Sequence, residues 1–103
     1  MGLGQCQDVS GNYYPFIEHA GSGSSAEICI AACGEHVGLA GVSAWPAVNY
    51  CFCYYSNDQQ PDGVSDASRD GEGAVAMTNG NTDLYCLKND SYGTTVSKNK
   101  QGK

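Results

Sequence analysis

Six cysteines constrain this chain more than any other feature, and their spacing says more than their number. Cys29 and Cys33 are separated by three residues inside SSAEICIAACGEH, and Cys51 and Cys53 by one inside NYCFCYYS. Cys6 and Cys86 stand alone, each far from the others. A three-residue gap on a helix puts two side chains on one face, about one turn apart. A one-residue gap on a strand does the same, with the side chains roughly 6.5 Å apart. Two anchors on a helix and two on a strand, nearly equally spaced, suit two disulfides that pin the helix to a sheet. Either assignment of partners satisfies that spacing. Cys6 and Cys86 are then left to join the two ends of the domain. Zinc knuckles use C-x2-C pairs, and redox motifs place C-x-x-C near a βαβ unit. Neither spacing occurs here, and His19 and His36 are isolated.

A chain of 103 residues holds one domain. It has only four Leu and three Ile against 14 Gly, so the aliphatic core is thin and crosslinks must compensate. An even number of cysteines in a chain this short points to an oxidising compartment, hence to a secreted or cell-surface location. The opening MGLGQCQD lacks a charged n-region and an apolar h-region. A signal peptide is therefore absent from this sequence, and a secreted form is expected to have been trimmed. Cys6 stands where a myristoylation signal requires Ser or Thr. The net charge is −6, and three of the five basic residues fall in the last six positions. That leaves no basic patch for phosphates, so a nucleic-acid partner is not expected. No apolar run is long enough to insert into a membrane as a helix.

Local signals order the elements. Residues 6–18, CQDVSGNYYPFIE, read as a turn and then a strand, with Pro15 confining that strand to an edge or marking a bulge. Ser24 and Glu27 form a capping box ahead of a helix that ends at Gly34 or Gly38. LAGVSAW (39–45), NYCFCYYS (49–56) and DLYCLK (83–88) read as strands. Residues 57–83 form a long Gly-, Asp- and Asn-rich loop, interrupted by a short strand around AVAMT. Residues 1–5 read as an N-terminal extension, 6–92 as the domain, and 93–103 as a polar tail expected to be disordered. The expected fold is α+β: a small disulfide-rich domain with a twisted antiparallel sheet crossed by one helix.

These pieces resemble the PAN/Apple domain, with some likeness to WSC-type cysteine-rich secreted modules. The residues that carry the resemblance are Cys6, the helix AEICIAACGEH, the strands GLAGVSAW and YCFCYYS, and the closing DLYCLK. The Cys-x-Cys strand departs from many PAN members, whose middle cysteines are further apart. The resemblance implies nested pairing: Cys6 with Cys86, Cys29 with Cys53, and Cys33 with Cys51. It also implies a non-catalytic module that binds extracellular carbohydrate or protein, with no cofactor.

Three groups of side chains are candidates for function. Cys51 and Cys53 face the helix, so Tyr50, Phe52 and Tyr54 face the other side of the sheet. With Tyr14 and Trp45 they form an aromatic set able to stack on sugar rings or meet a partner. The competing expectation is that loop 57–83 folds over that face and buries it. Asp66, Ser68 and Asp70, within DASRDG, echo the start of an EF-hand loop. Position twelve would be Met77, so a true EF-hand is ruled out and only a weak calcium site is left. Asn89-Asp90-Ser91 is an N-glycosylation sequon. No nucleophile, base or marked carboxylate pair advertises catalysis, so an enzyme is not expected. The alternative to ligand binding is a self-associating building block of an extracellular matrix, wall or filament.

Overall fold

A computed structural model describes residues 2–90 and Tyr92. The tail expected from residue 93 onward lies outside them. The chain forms β1 (Gly2–Leu3), β2 (Cys6–Gln7), β3 (Phe16–Ala20), α1 (Ala26–Cys33), β4 (Leu39–Trp45), β5 (Tyr50–Tyr55), β6 (Met77–Thr78) and β7 (Tyr85–Lys88). Five strands make one antiparallel sheet in the order β1-β7-β4-β5-β3, and β2 pairs with β6 in a small second sheet. The α+β expectation holds: one helix lies against one antiparallel sheet, and three disulfides tie the domain.

Local chemistry explains the element ends. Ser25, rather than Ser24, caps α1, its Oγ accepting from the Ile28 N–H at 3.1 Å. The third helical position is therefore Ile28, and Glu27 sits too early to close a capping box. Glu27 still places negative charge in the first turn, where the helix dipole favours it. Gly34 ends the helix at φ 73°, as predicted. The β4–β5 hairpin turns through a 3-10 segment at Pro46–Val48 and closes on Asn49 in the left-handed region. Pro15 precedes β3, which is an edge strand, and its carbonyl accepts from the Tyr55 N–H at 2.9 Å. Gly2–Leu3, within the segment read as an extension, pairs with Tyr85 and Cys86 of β7.

Strand alternation divides the core into two. Cys29, Leu39, Val42, Ala44, Cys51, Cys53 and Tyr55 pack under α1. Cys6, Tyr14, Ala40, Tyr54, Val75 and Cys86 form a second cluster, with Phe16 and Phe52 packed against it. Along β5, odd positions enter the first cluster and Phe52 and Tyr54 the second, as a period of two requires.

The inner disulfides correct the pairing that the family resemblance implied. Cys29 bonds Cys51 and Cys33 bonds Cys53, while Cys6 bonds Cys86 as expected. The cause is chain direction. A connector of residues 34–38 turns α1 back into β4, and the Pro46–Asn49 turn reverses β4 into β5. Two reversals leave α1 and β5 running the same way, so first cysteine meets first cysteine. The sulfurs of Cys29, Cys33 and Cys51 lie within 4.8 Å of one another, but all are held in disulfides and offer no thiolate to a metal.

Loop 57–83 is fastened over the second cluster by buried polar groups. The Tyr14 hydroxyl donates to the Gly73 carbonyl (2.8 Å), and the Gly73 N–H to Ser56 Oγ (3.0 Å). The Gly71 N–H reaches the Tyr13 carbonyl (2.8 Å) so closely that a Cβ there would stand 2.9 Å from the same backbone. Asp8 ties the loop to the first turn. Its Oδ1 accepts from the N–H groups of Ser10 and Asn12, and its Oδ2 from that of Glu72.

Burial pulls the Asp8 carboxyl up, but the backbone N–H groups of Asn12, Glu72 and Ser10 outweigh it, and its pKa falls below the ordinary 3.8. A depressed folded pKa contributes stability that is present above about 3.9, the unfolded value, and is lost as pH falls through the folded one. Asp8→Asn is accordingly expected to cost about 1–3 kcal/mol at neutral pH. It should also flatten the loss of stability in acid. Denaturant unfolding at neutral and acid pH checks both; an Asp8→Asn protein as stable and as acid-sensitive as the parent would refute the anchor.

Candidate functional site: an aromatic pocket beside Arg69

One face of the sheet is not fully covered. Between the end of β4, the middle of β5, the start of β3 and the loop lies a pocket of about 290 Å³. It is lined by Phe16, Trp45, Phe52 and Tyr54 with Gln5, Arg69, Asn81 and Leu84. The register explains this grouping. Phe16 is opposite Tyr54 across β3–β5, and Phe52 is opposite Ser43 across β4–β5. Phe16 meets Phe52 edge-on at 5.5 Å, and Phe52 stacks alongside Tyr54 at 6.5 Å. Such offset arrangements hold rings rigidly and leave little rotamer freedom to lose on binding.

Arg69 gives the pocket its charge. Its guanidinium carbon lies 4.9 Å from the centre of the Tyr13 ring and 5.1 Å from that of Phe16, while Nη2 donates to Gln5 Oε1 at 2.8 Å. Burial lowers the Arg69 pKa, with Tyr54, Asp66 and Tyr13 acting in the opposite sense, and an arginine remains charged under any ordinary condition. The turn that delivers it starts at Asp66, whose φ of 53° is left-handed, and closes with the Arg69 N–H on the Asp66 carbonyl.

The predicted aromatic set divides. Trp45 and Phe52 are half-buried and line the pocket. Tyr14 and Tyr54 are 0% and 1% exposed. Tyr14 is core, fixed by its hydroxyl to Gly73, and Tyr54 contributes only a sliver of the pocket wall. Both are removed from the contact set because loop 57–83 covers them. Tyr50 is 38% exposed, opposite Trp45 and Ala20 near the turn, and is not part of the pocket. Gln5, Arg69, Asn81 and Leu84 join the aromatic rings from positions that no sequence periodicity marks. The one usable signal was Arg69, the sole arginine of an acidic chain.

The other candidates lie outside the aromatic pocket. Asp66, Ser68 and Asp70 are exposed, and Ser68 Oγ donates to Asp66 Oδ1 (3.0 Å). Among the described residues no third acidic or histidine side chain joins the two aspartates. Asn89 Nδ2, the atom a glycan would occupy, donates to the Leu39 carbonyl at 2.7 Å in a half-buried position. His36 accepts from the Gly38 N–H through Nδ1 and packs edge-on against Tyr55. No helix among the described residues is long and apolar enough to cross a membrane. Comparison with known proteins finds no matching family model, no matching curated protein and no matching solved structure.

Proposed function

We propose that the chain is a non-catalytic, PAN/Apple-like module of the extracellular space that binds carbohydrate through the Trp45–Phe52 pocket. The supporting observation is the lining itself: aromatic side chains beside amide and guanidinium donors, in one concave site. A sugar ring has apolar C–H faces and a rim of hydroxyls, so it needs both. A lipid would call for an aliphatic lining, and here only Leu84 is aliphatic. Three disulfides in a small domain fit an oxidising location. The alternative, a self-associating building block, gains less support. One sheet edge is the two-residue β1, and the other, β3, carries Glu18 and His19, features that discourage strand-to-strand pairing.

The test is retention of the oxidised protein on polysaccharide columns and arrays. Trp45→Ala should weaken binding about tenfold or more, since it removes both ring contact and buried area. Tyr50→Ala, outside the pocket, should leave binding unchanged. Equal binding by the Trp45→Ala protein would move the site elsewhere. Assembly that grows with concentration, without saccharide binding, would favour the building-block reading.

A further inference from the structure

We propose that the aromatic pocket is the inner of two adjoining subsites, and that the ligand is an oligosaccharide whose neighbouring units lie on either side of Arg69 and Gln5. The inference rests on the carbohydrate reading and specifies it. A second, more open cavity of about 530 Å³ is lined by Gln5, Gly11, Asn12, Tyr13, Asp66, Arg69 and Asp70. Gln5 and Arg69 line both cavities, so the hydrogen-bonded pair is a partition between them. The aromatic groups repeat across that partition. Phe16 lines the inner cavity and Tyr13 the outer one, and each is within cation–π distance of the guanidinium.

The two sides differ in chemistry. The inner one is ring-lined and small, near the lower end of the range for ligand pockets. The outer one offers acceptors, the Asp66 and Asp70 carboxylates, with the Asn12 amide and the 37%-exposed Tyr13 ring. Carboxylates accept from hydroxyls, and Tyr13 supplies a face for stacking. The partition belongs at a glycosidic linkage, because a guanidinium has five N–H donors and Gln5 engages Nη2 alone. One saccharide unit would fill the inner subsite, and a second would add the outer contacts without a second association cost. The acidic outer rim makes neutral or amino sugars the matching class.

The experiment is calorimetric titration of the oxidised protein with cello-, chito-, laminari- and manno-oligosaccharides, from monosaccharide to hexasaccharide. Affinity should rise about tenfold or more from one unit to two and then level off. Asp70→Asn and, separately, Asp70→Ala, which touch the outer cavity alone, should abolish that rise while leaving the monosaccharide constant as it was. Thermal melts would confirm that both variants are folded. A monosaccharide that binds as tightly as its dimer overturns the two-subsite proposal and leaves the carbohydrate reading standing. So does a loss in both variants that is equal for monomer and dimer. No saturable binding by any member of the four series overturns the proposal together with the reading beneath it.

Discussion

Replacing Cys6 and Cys86 by serine is expected to unfold most of the protein at room temperature, whereas opening one inner bridge should leave it folded. The outer bridge spans 80 residues of sequence and the inner ones 22 and 20. Chain entropy assigns about 4.5 kcal/mol to the long loop and about 3 kcal/mol to each short one. Small domains have roughly 5–15 kcal/mol in total, and this one has few aliphatic residues to place it high in that range. Position adds to length. Cys6 and Cys86 are fully buried in the second cluster, so losing the bridge also loosens packing there. The inner bridges duplicate one another: with Cys29–Cys51 gone, Cys33–Cys53 still fixes α1 on β5. Circular dichroism and denaturant unfolding of the Cys6→Ser/Cys86→Ser and Cys29→Ser/Cys51→Ser proteins separate the cases. A Cys6→Ser/Cys86→Ser protein that keeps the parent's unfolding midpoint would show that core packing, not the long crosslink, holds the domain.

How far the sequence reaches is clearest at the cysteines. Their presence on one face of a helix and one face of a strand follows from spacing alone, because the two periods are fixed by backbone geometry. The order of pairing depends on the direction of α1 relative to β5. That direction is itself encoded, in the five-residue connector after α1 and the Pro46–Asn49 turn, whose two reversals leave α1 and β5 parallel. Gly2–Leu3 was out of reach. A two-residue strand has no periodicity, and its pairing with β7 is set by the Cys6–Cys86 bridge and the Gly4 N–H on the Leu84 carbonyl. The pocket was half legible. Alternation on β5 put Phe52 and Tyr54 on the face away from the helix, but which of them stays accessible depends on where loop 57–83 settles. Tertiary hydrogen bonds from Asp8, Tyr14 and Ser56 decide that, and no local pattern encodes them.

Truncating Tyr54 should therefore destroy stability and not merely binding. Tyr54→Ala removes a ring that is 1% exposed and packed with Tyr14 and Phe16, and the expected loss is about 3–5 kcal/mol. In a domain of modest stability that is enough to populate unfolded protein, so lost binding in this variant says nothing about the pocket. Tyr54→Phe separates the parts. It keeps the ring and should cost only about 1 kcal/mol, the scale of a single hydroxyl's contribution. It also alters alkaline behaviour. Burial raises the Tyr54 phenol from 10.0 to about 12, despite the opposing Ser43 bond and Arg69 charge. The folded protein thus resists ionisation that the unfolded chain accepts. The resulting stability is complete below pH 10 and is lost as pH rises through about 12. Phenolate absorbance followed alongside unfolding should show late, cooperative ionisation in the parent and a shallower alkaline loss in Tyr54→Phe. A Tyr54→Ala protein that melts where the parent does would mean the second cluster is not a core at all. The aromatic face would then be an open surface, and Tyr54 would return to the candidate contacts beside Trp45 and Phe52.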